Sequence, residues 1–449
     1  MKVTKFGGSS LANAEQLKKV LNIVKTDANR KFIVVSAPGK EHSDDQKLTD
    51  ILIAYHDAYV TGAPLNDIQD SIINRFKTII ESLELSQKLL DTIINNIKGL
   101  AHLPIENNPF LYDAFLASGE DNNAKLIAEY FRNNGIKARY LNPGVAGLMV
   151  SSEPQNARIL PASYDKMEKL KEYDGILVIP GFFGITKDGQ ICTFSRGGSD
   201  ITGSLIAAAI SADLYENFTD VDGIFAAHPG VVKKPHSIKK LTYKEMRELA
   251  YAGFTVLHDE ALIPAYRGRV PLVIKNTNNP DHPGTKIVLD RSTDKNPVVG
   301  ISGDDRFISI NMSKYLMNRE VGFGRKVLQI LEDLHIRWEH MPTGIDDLSI
   351  VIREREMTPI KEKEILTYLT HNLEVDEVSV TKNLSIIMIV GENMKSHVGV
   401  TAAATKALSE NKINITMISQ GSSEVSVMFV VDSKDEKKAI KALYQAFFN

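Results

Sequence analysis

Sliding the sequence by 77 positions lays two C-terminal segments on each other without a gap. Val321-Gly322 falls on Val398-Gly399, Leu331 on Leu408, Ile336 on Ile413, Gly344 on Gly421 and Ser349-Ile350 on Ser426-Val427. Each copy reads as strand, glycine turn, amphipathic helix, strand, strand. In the first copy Phe323, Val327, Ile330, Leu331 and Leu334 form the helix face. A βαββ unit of that size has too little core to be stable alone. The two copies must therefore pack on each other or on a second chain. The pattern leaves two readings open, a dimerisation module and a paired ligand-sensing module.

Upstream of residue 296 strands alternate with helices instead. Residues 2–6 read as a strand, and Leu17, Val20, Leu21 and Val24 as one helix face. Residues 32–36 read as a strand closed by Ala37-Pro38-Gly39, 46–97 as mainly helix, 114–132 as helix and 138–141 as a short strand. Residues 176–180 read as a buried strand running into Gly-Phe-Phe-Gly, 201–210 as a small-residue helix and 214–218 as a strand. Apolar strands in this alternation imply an α/β fold with a mostly parallel sheet covered on both faces. Ligands in such folds sit beyond the carboxyl ends of the strands, where the glycine-rich segments of this chain fall. A length of 449 residues implies two or three domains, and the polar loop at 276–284 marks an edge between elements.

The net charge of -3 offers no basic excess for a polyanion, so nucleic acid is not expected as a partner. Cys192 is the single cysteine, which excludes an intrachain disulfide and a multi-cysteine metal site. The N-terminus lacks a signal-peptide core, and the most apolar run, 175–185, is too short to span a bilayer. A soluble cytoplasmic protein is the expectation.

Four segments carry the chemistry. Lys5-Phe6-Gly7-Gly8-Ser9-Ser10 follows a strand and precedes a helix, the place where glycines let backbone N–H groups approach an anion. It is no Walker loop, and as a plain turn it would need no ligand. Phe194-Ser195-Arg196-Gly197-Gly198-Ser199-Asp200 is a second such turn, with Arg196 able to grip a carboxylate and Asp200 placed to orient Lys5 or handle Mg2+. Its plainer reading is a helix cap. Ser118-Gly119-Glu120-Asp121 offers Glu120 to an ammonium group, against the plainer reading of a solvated first-turn acid. Thr219-Asp220-Val221-Asp222-Gly223-Ile224-Phe225 offers polar contacts and an aromatic surface to a nucleotide, against a simple polar turn.

In this order and spacing the segments resemble the amino acid kinase family, and within it the aspartate kinases, over nearly the whole chain. Val256-Leu257-His258 and Ile418-Ser419-Gln420-Gly421-Ser422-Ser423-Glu424 add to the likeness. The resemblance implies an α/β amino acid kinase-like three-layer sandwich with a mostly parallel sheet over residues 1–293. Two ACT-like βαββ (ferredoxin-like) units follow, at 304–376 and 377–449, with the strand near 297–303 open to the second. It implies transfer of the γ-phosphoryl of ATP, carried with Mg2+, to the β-carboxylate of aspartate, the first step of lysine, threonine and methionine biosynthesis. No metal site of the protein's own is expected. The chain is too short to carry a fused homoserine dehydrogenase.

The implied roles are specific. Lys5 and Asp200 are catalytic. Gly8, Ser9, Glu120, Arg196, Gly197, Gly198 and Ser199 bind substrate, with Arg196 on the α-carboxylate and Glu120 on the ammonium. Lys5, Gly7, Gly8, Thr219, Asp220 and Phe225 meet the nucleotide. Glu339, Thr343 and Asp346, with Asp347 beside them, surround the first repeat's glycine turn and suit a cationic effector, lysine first. A homodimer or larger assembly through the ACT units is expected. Two departures fall on the nucleotide side. His228-Pro229-Gly230 stands where many relatives have Asp-Pro-Arg, and Thr255 where many have lysine; Lys233, Lys234 and Lys275 are the substitutes at hand. The competing readings are another amino acid kinase and a catalytically weak ACT-type sensor on the same scaffold.

Overall fold

The computed structural model describes residues 1–448 apart from 43, 196, 255, 258, 292–295 and the side chain of 259. These residues fall into two compact units, Met1–Ile224 with Ser237–Arg247 and Thr255–Arg291, and Phe225–His236 with Glu248–Phe254 and Ser292–Asn449. The first unit holds an eight-stranded sheet in the order Lys240–Thr242, Thr285–Val288, Leu272–Asn276, Leu214–Thr219, Lys2–Phe6, Arg30–Val35, Ile176–Pro180, Ala138–Tyr140. Neighbours run parallel except Leu272–Asn276 against Thr285–Val288.

The pleat sends successive side chains to opposite faces, and Lys2–Phe6 uses both. Thr4 faces the helix Ala14–Lys25, and Lys5 faces the helix Gly198–Ala209. Ala14–Lys25 forms because Asn13 caps it, accepting from the Gln16 N–H at 3.1 Å, and because Leu17, Val20, Leu21 and Val24 are all buried on one side. The helix Leu111–Asn133 is buried over most of its circumference and joins Phe6, Ile33, Val35, Val178 and Phe218 in one core. Helices at Leu48–Thr61, Asn66–Ser82 and Gln87–Leu100 account for the helical stretch read at 46–97.

One charged network sits inside this sheet. Arg30 grips Glu216 through two nitrogens, at 2.6 and 3.0 Å, and also donates to the Ile23 carbonyl. Thr4 donates to the same carboxylate at 3.2 Å. Glu216 is only 2% exposed, so removing its guanidinium leaves a buried charge short of a partner. R30M is expected to destabilise the chain by about 3–5 kcal/mol, read from urea unfolding. A loss below about 1 kcal/mol would place the pair with surface ion pairs instead.

The second unit contains a five-stranded antiparallel sheet ordered Asp347–Arg353, Gly300–Ser313, Glu377–Val390, Ser426–Asp432, Met417–Gln420. Its two long strands each change role midway. Gly300–Asp304 pairs with Ile386–Val390, beside Ser426–Asp432, whereas Phe307–Ser313 pairs with Asp347–Arg353 and with the start of Glu377–Val390. The register shifts between Asp304 and Phe307, where Arg306 takes φ 67°. Each repeat also continues into a second helix, Pro359–His371 and Glu436–Phe448, which the βαββ reading omits. Ile308, Ile310, Phe323, Val327, Leu331, Ile350 and Leu369 form the first repeat's core. Among the described residues no helix is long and apolar enough to cross a membrane.

Candidate functional site

A cleft of about 730 Å3 opens in the first unit, lined by residues from all four segments singled out above: Lys5, Gly8 and Ser9, then Glu120, then Gly197, Gly198, Ser199 and Asp200, and Asp220. Lys5 lies at the end of the first strand, and its Nζ is 2.6 Å from Asp200 Oδ1 in the first turn of Gly198–Ala209. Asn217, on the adjacent strand, donates from Nδ2 to the same Oδ1 at 2.9 Å and accepts from Lys5 Nζ at 3.4 Å. All three side chains are largely withdrawn from solvent, so their mutual electrostatics are weakly screened.

Glu120 sits near the middle of Leu111–Asn133, not in its first turn, and is 8% exposed. Burial pushes its carboxyl up to about 8, against the pull of the Ala37 backbone N–H. No cation pairs with it among the described residues. The solvated-acid alternative is thereby corrected. Gly119 explains how the helix comes so close: a Cβ there would stand 3.0 Å from Ala37 Cβ and 3.1 Å from Leu52 Cδ1.

The rest of the cleft comes from the loop after Arg30–Val35. Gly39 donates its N–H to the Gly8 carbonyl at 2.9 Å, and a Cβ on Gly39 would fall 2.5 Å from the Gly8 carbonyl carbon. Only glycine permits that contact. Arg75 fixes the same loop, donating to the Gly39 carbonyl at 2.8 Å and to Asp45 at 2.6 Å. Asn123 holds the Ser36 carbonyl at 2.7 Å. Through this loop Lys40, His42 and Lys47 reach the cleft lining, Thr49 reaches it from the first turn of the helix Leu48–Thr61, and Phe182 joins them with a left-handed φ of 76°. None of these, nor Asn217, was singled out from sequence. Their signals were the Ala-Pro-Gly and Gly-Phe-Phe-Gly turns and one polar residue inside an apolar strand.

Other expected residues lie elsewhere. Arg196, Thr255 and His258 are outside the described residues. The Gly7 N–H is committed to the Phe218 carbonyl at 3.0 Å, so that amide is not free for a ligand. Thr219 donates to Asp220 at 3.1 Å and is not among the lining residues. Phe225, His228, Gly230, Lys233 and Lys234 belong to the second unit. Lys275 lines a separate groove with Lys2, Lys239, Lys286 and Glu216. In the second unit Glu339 accepts from Arg353 at 2.9 Å and from the Tyr251 hydroxyl, whereas Asp346 accepts from the Leu316 N–H at 2.9 Å. Thr343 bridges to Leu348. No group of three or more His, Cys, Asp or Glu side chains suited to a metal gathers among the described residues.

The comparisons with known proteins agree with this geometry. A model of the amino acid kinase family matches residues 1–276, and a model of an ACT domain matches 387–447. The chain is 52% identical to aspartokinase 3 of Bacillus subtilis, over 100% of this chain and 99% of that one. It is 29% identical to chloroplastic aspartokinase 1 of Arabidopsis thaliana, over 99% of this chain and 80% of the relative. The aspartate kinase of Clostridium acetobutylicum, described as an allosteric enzyme, superposes with a TM-score of 0.86 at 38% identity and full coverage of both chains. Escherichia coli aspartokinase III, solved with aspartate and ADP, shares the fold with a TM-score of 0.82 at 24% identity and full coverage of both chains. The chain belongs to the amino acid kinase family, and its full-length likeness places it among the aspartokinases.

Proposed function

We propose that this chain transfers the γ-phosphoryl of ATP to the β-carboxylate of L-aspartate, giving 4-phospho-L-aspartate and ADP, and that an amino acid bound at its C-terminal repeats restrains it. The observation that carries the reading is the cleft itself, which sets the Lys5–Asp200 ion pair and Glu120, without a cationic partner among the described residues, in one lining. A carboxylate is already a nucleophile at neutral pH, so the reaction needs no general base. What it needs is two anions held in line and their repulsion offset. Glu120 takes the substrate ammonium, and Arg196 its α-carboxylate. Lys5 meets the phosphoryl oxygens, and Gly8, Ser9 and the Gly197–Ser199 turn supply further donors. Asp220, which lines the cleft, is assigned to the nucleotide, and Thr219 and Phe225 are assigned to it by family resemblance. Mg2+ enters with the phosphates of the nucleotide.

Residues 1–293 form the catalytic domain in this reading. The first ACT unit spans 304–376. The second spans 377–449 and takes the strand at 297–303, as the pairing of Gly300–Asp304 with Ile386–Val390 supports. Val321 and Val398, equivalent in the two repeats, are 96% and 106% exposed, which supports association through these units into a homodimer or larger. Asp346 and Asp347, with Thr343 at the same glycine turn, favour lysine as effector; Glu339, assigned with them from sequence, is already held by Arg353 and Tyr251. The single buried cysteine, Cys192, is in keeping with a cytoplasmic enzyme.

Hydroxylamine trapping of acyl phosphate, with ATP, Mg2+ and aspartate, tests the whole reading. Aspartate-dependent hydroxamate that falls when lysine is added is the expected result. A folded chain that forms none would overturn the kinase assignment. Suppression by threonine or methionine alone would move the effector and leave the kinase standing.

A further inference from the structure

We infer that Asn217 is a positioning residue of the phosphoryl-transfer site: it is the standing partner of Asp200 that allows Lys5 to exchange that carboxylate for phosphoryl oxygens. The inference rests on the kinase reading but concerns a residue that reading does not need.

Asn217 lies within the strand Leu214–Thr219, pointing to the opposite face from Glu216, and is 2% exposed. Asp200 Oδ1 receives two donors, Lys5 Nζ at 2.6 Å and Asn217 Nδ2 at 2.9 Å. The other end of the same amide accepts from Lys5 at 3.4 Å. A side-chain amide donates to the carboxylate from one atom and accepts from the ammonium at another, without a charge of its own. A carboxylate in its place would accept only, and an aliphatic group would do neither.

The energetic need arises during turnover. When ATP arrives, Lys5 is drawn to the phosphoryl oxygens and its hold on Asp200 weakens. Asp200 is 9% exposed, and a buried carboxylate deprived of its partners is costly. The Asn217 donor remains in place, so Lys5 can move without leaving Asp200 unsatisfied. Asn217 also limits where Lys5 can go, since its carbonyl oxygen occupies one of the three ammonium protons.

Two variants of the full chain test this. N217L keeps the approximate volume and removes both hydrogen bonds. Its kcat is expected to fall about 10- to 100-fold while KM for aspartate stays within about threefold, with circular dichroism confirming the fold. An unchanged kcat would overturn the proposal. N217D keeps the shape and loses the donor until the introduced carboxyl is protonated. The ratio of N217D activity to that of the unaltered chain should therefore rise as pH falls from about 9 to about 6. A purely structural role predicts a flat ratio, and a flat ratio would overturn the proposal even if N217L failed to fold. Labelling of Lys5 with acetic anhydride, read by mass spectrometry, requires no turnover. N217D should raise the pH at which Lys5 becomes reactive, because a second carboxylate favours the ammonium; an unmoved midpoint contradicts the contact. An unaltered chain that forms no acyl phosphate would defeat the kinase reading, while the labelling experiment would still decide Asn217.

Discussion

K5M should lower aspartate-dependent acyl phosphate formation by about 10³-fold or more. The substitution keeps most of the aliphatic stem and removes the charge that faces Asp200 at 2.6 Å. Two losses then add. The transferring phosphoryl carries its negative charge over three oxygens in the transition state, and on the proposed role of Lys5 the cleft loses the cation that would meet it. Asp200 meanwhile keeps Asn217 as its donor but has lost its counter-charge, so part of the binding geometry relaxes. K5R is no gentle control, since a planar guanidinium does not fit where one ammonium bridges Asp200 and Asn217. Single-turnover trapping with saturating ATP separates chemistry from binding. A K5M rate within about tenfold of the unaltered chain would remove Lys5 from the chemistry.

The sequence makes Lys5 and Asp200 legible for a physical reason. Each stands where a strand or a glycine turn meets a helix, and such junctions have a local signature. Glu120 has none. Its neighbours Asp121, Asn122 and Asn123 read as polar surface, yet Asn122 and Asn123 are fully buried because the helix is enclosed by the sheet on one side and by the helices Leu48–Thr61 and Gln87–Leu100 on another. Only the resemblance singles out Glu120, which lines the cleft, and its burial is a property of packing that no window of residues contains. Asn217 was passed over because a polar residue in a strand ordinarily marks a solvated face. The effector acids show the same limit. Glu339 is engaged by Arg353 and by Tyr251, 14 and 88 positions away, whereas Asp346 caps a turn at Leu316. Their nearness in sequence does not make them one site. The repeat, by contrast, was legible in its offset, because equivalent glycines must take equivalent turns. Gly322 and Gly399 have φ of 81° and 92°.

E120Q should raise KM for aspartate by about 100-fold and at the same time stabilise the unliganded chain. In the unliganded protein Glu120 titrates near 8, far above the usual 4.5. The folded state therefore holds a proton that the unfolded state has released. Stability is fully present below about 4.5 and is lost progressively as pH climbs to about 8. The glutamine variant carries no such charge, so its advantage in thermal midpoint should widen across that window and then level off. Aspartate reverses the balance. With the ammonium placed beside Glu120 as proposed, the carboxylate is favoured, so binding below about pH 8 should expel a proton and affinity should strengthen as pH approaches that value. Calorimetry of aspartate binding in buffers of different ionisation enthalpy measures that proton directly. Release by the unaltered chain and none by E120Q is the expected pair. Equal release from both would assign the ammonium to another group. On the proposed role, a carboxylate with no cationic partner among the described residues gives up folding stability for selectivity. An amino acid with a free ammonium supplies the missing charge, and a dicarboxylate without one leaves Glu120 either protonated or unpaired.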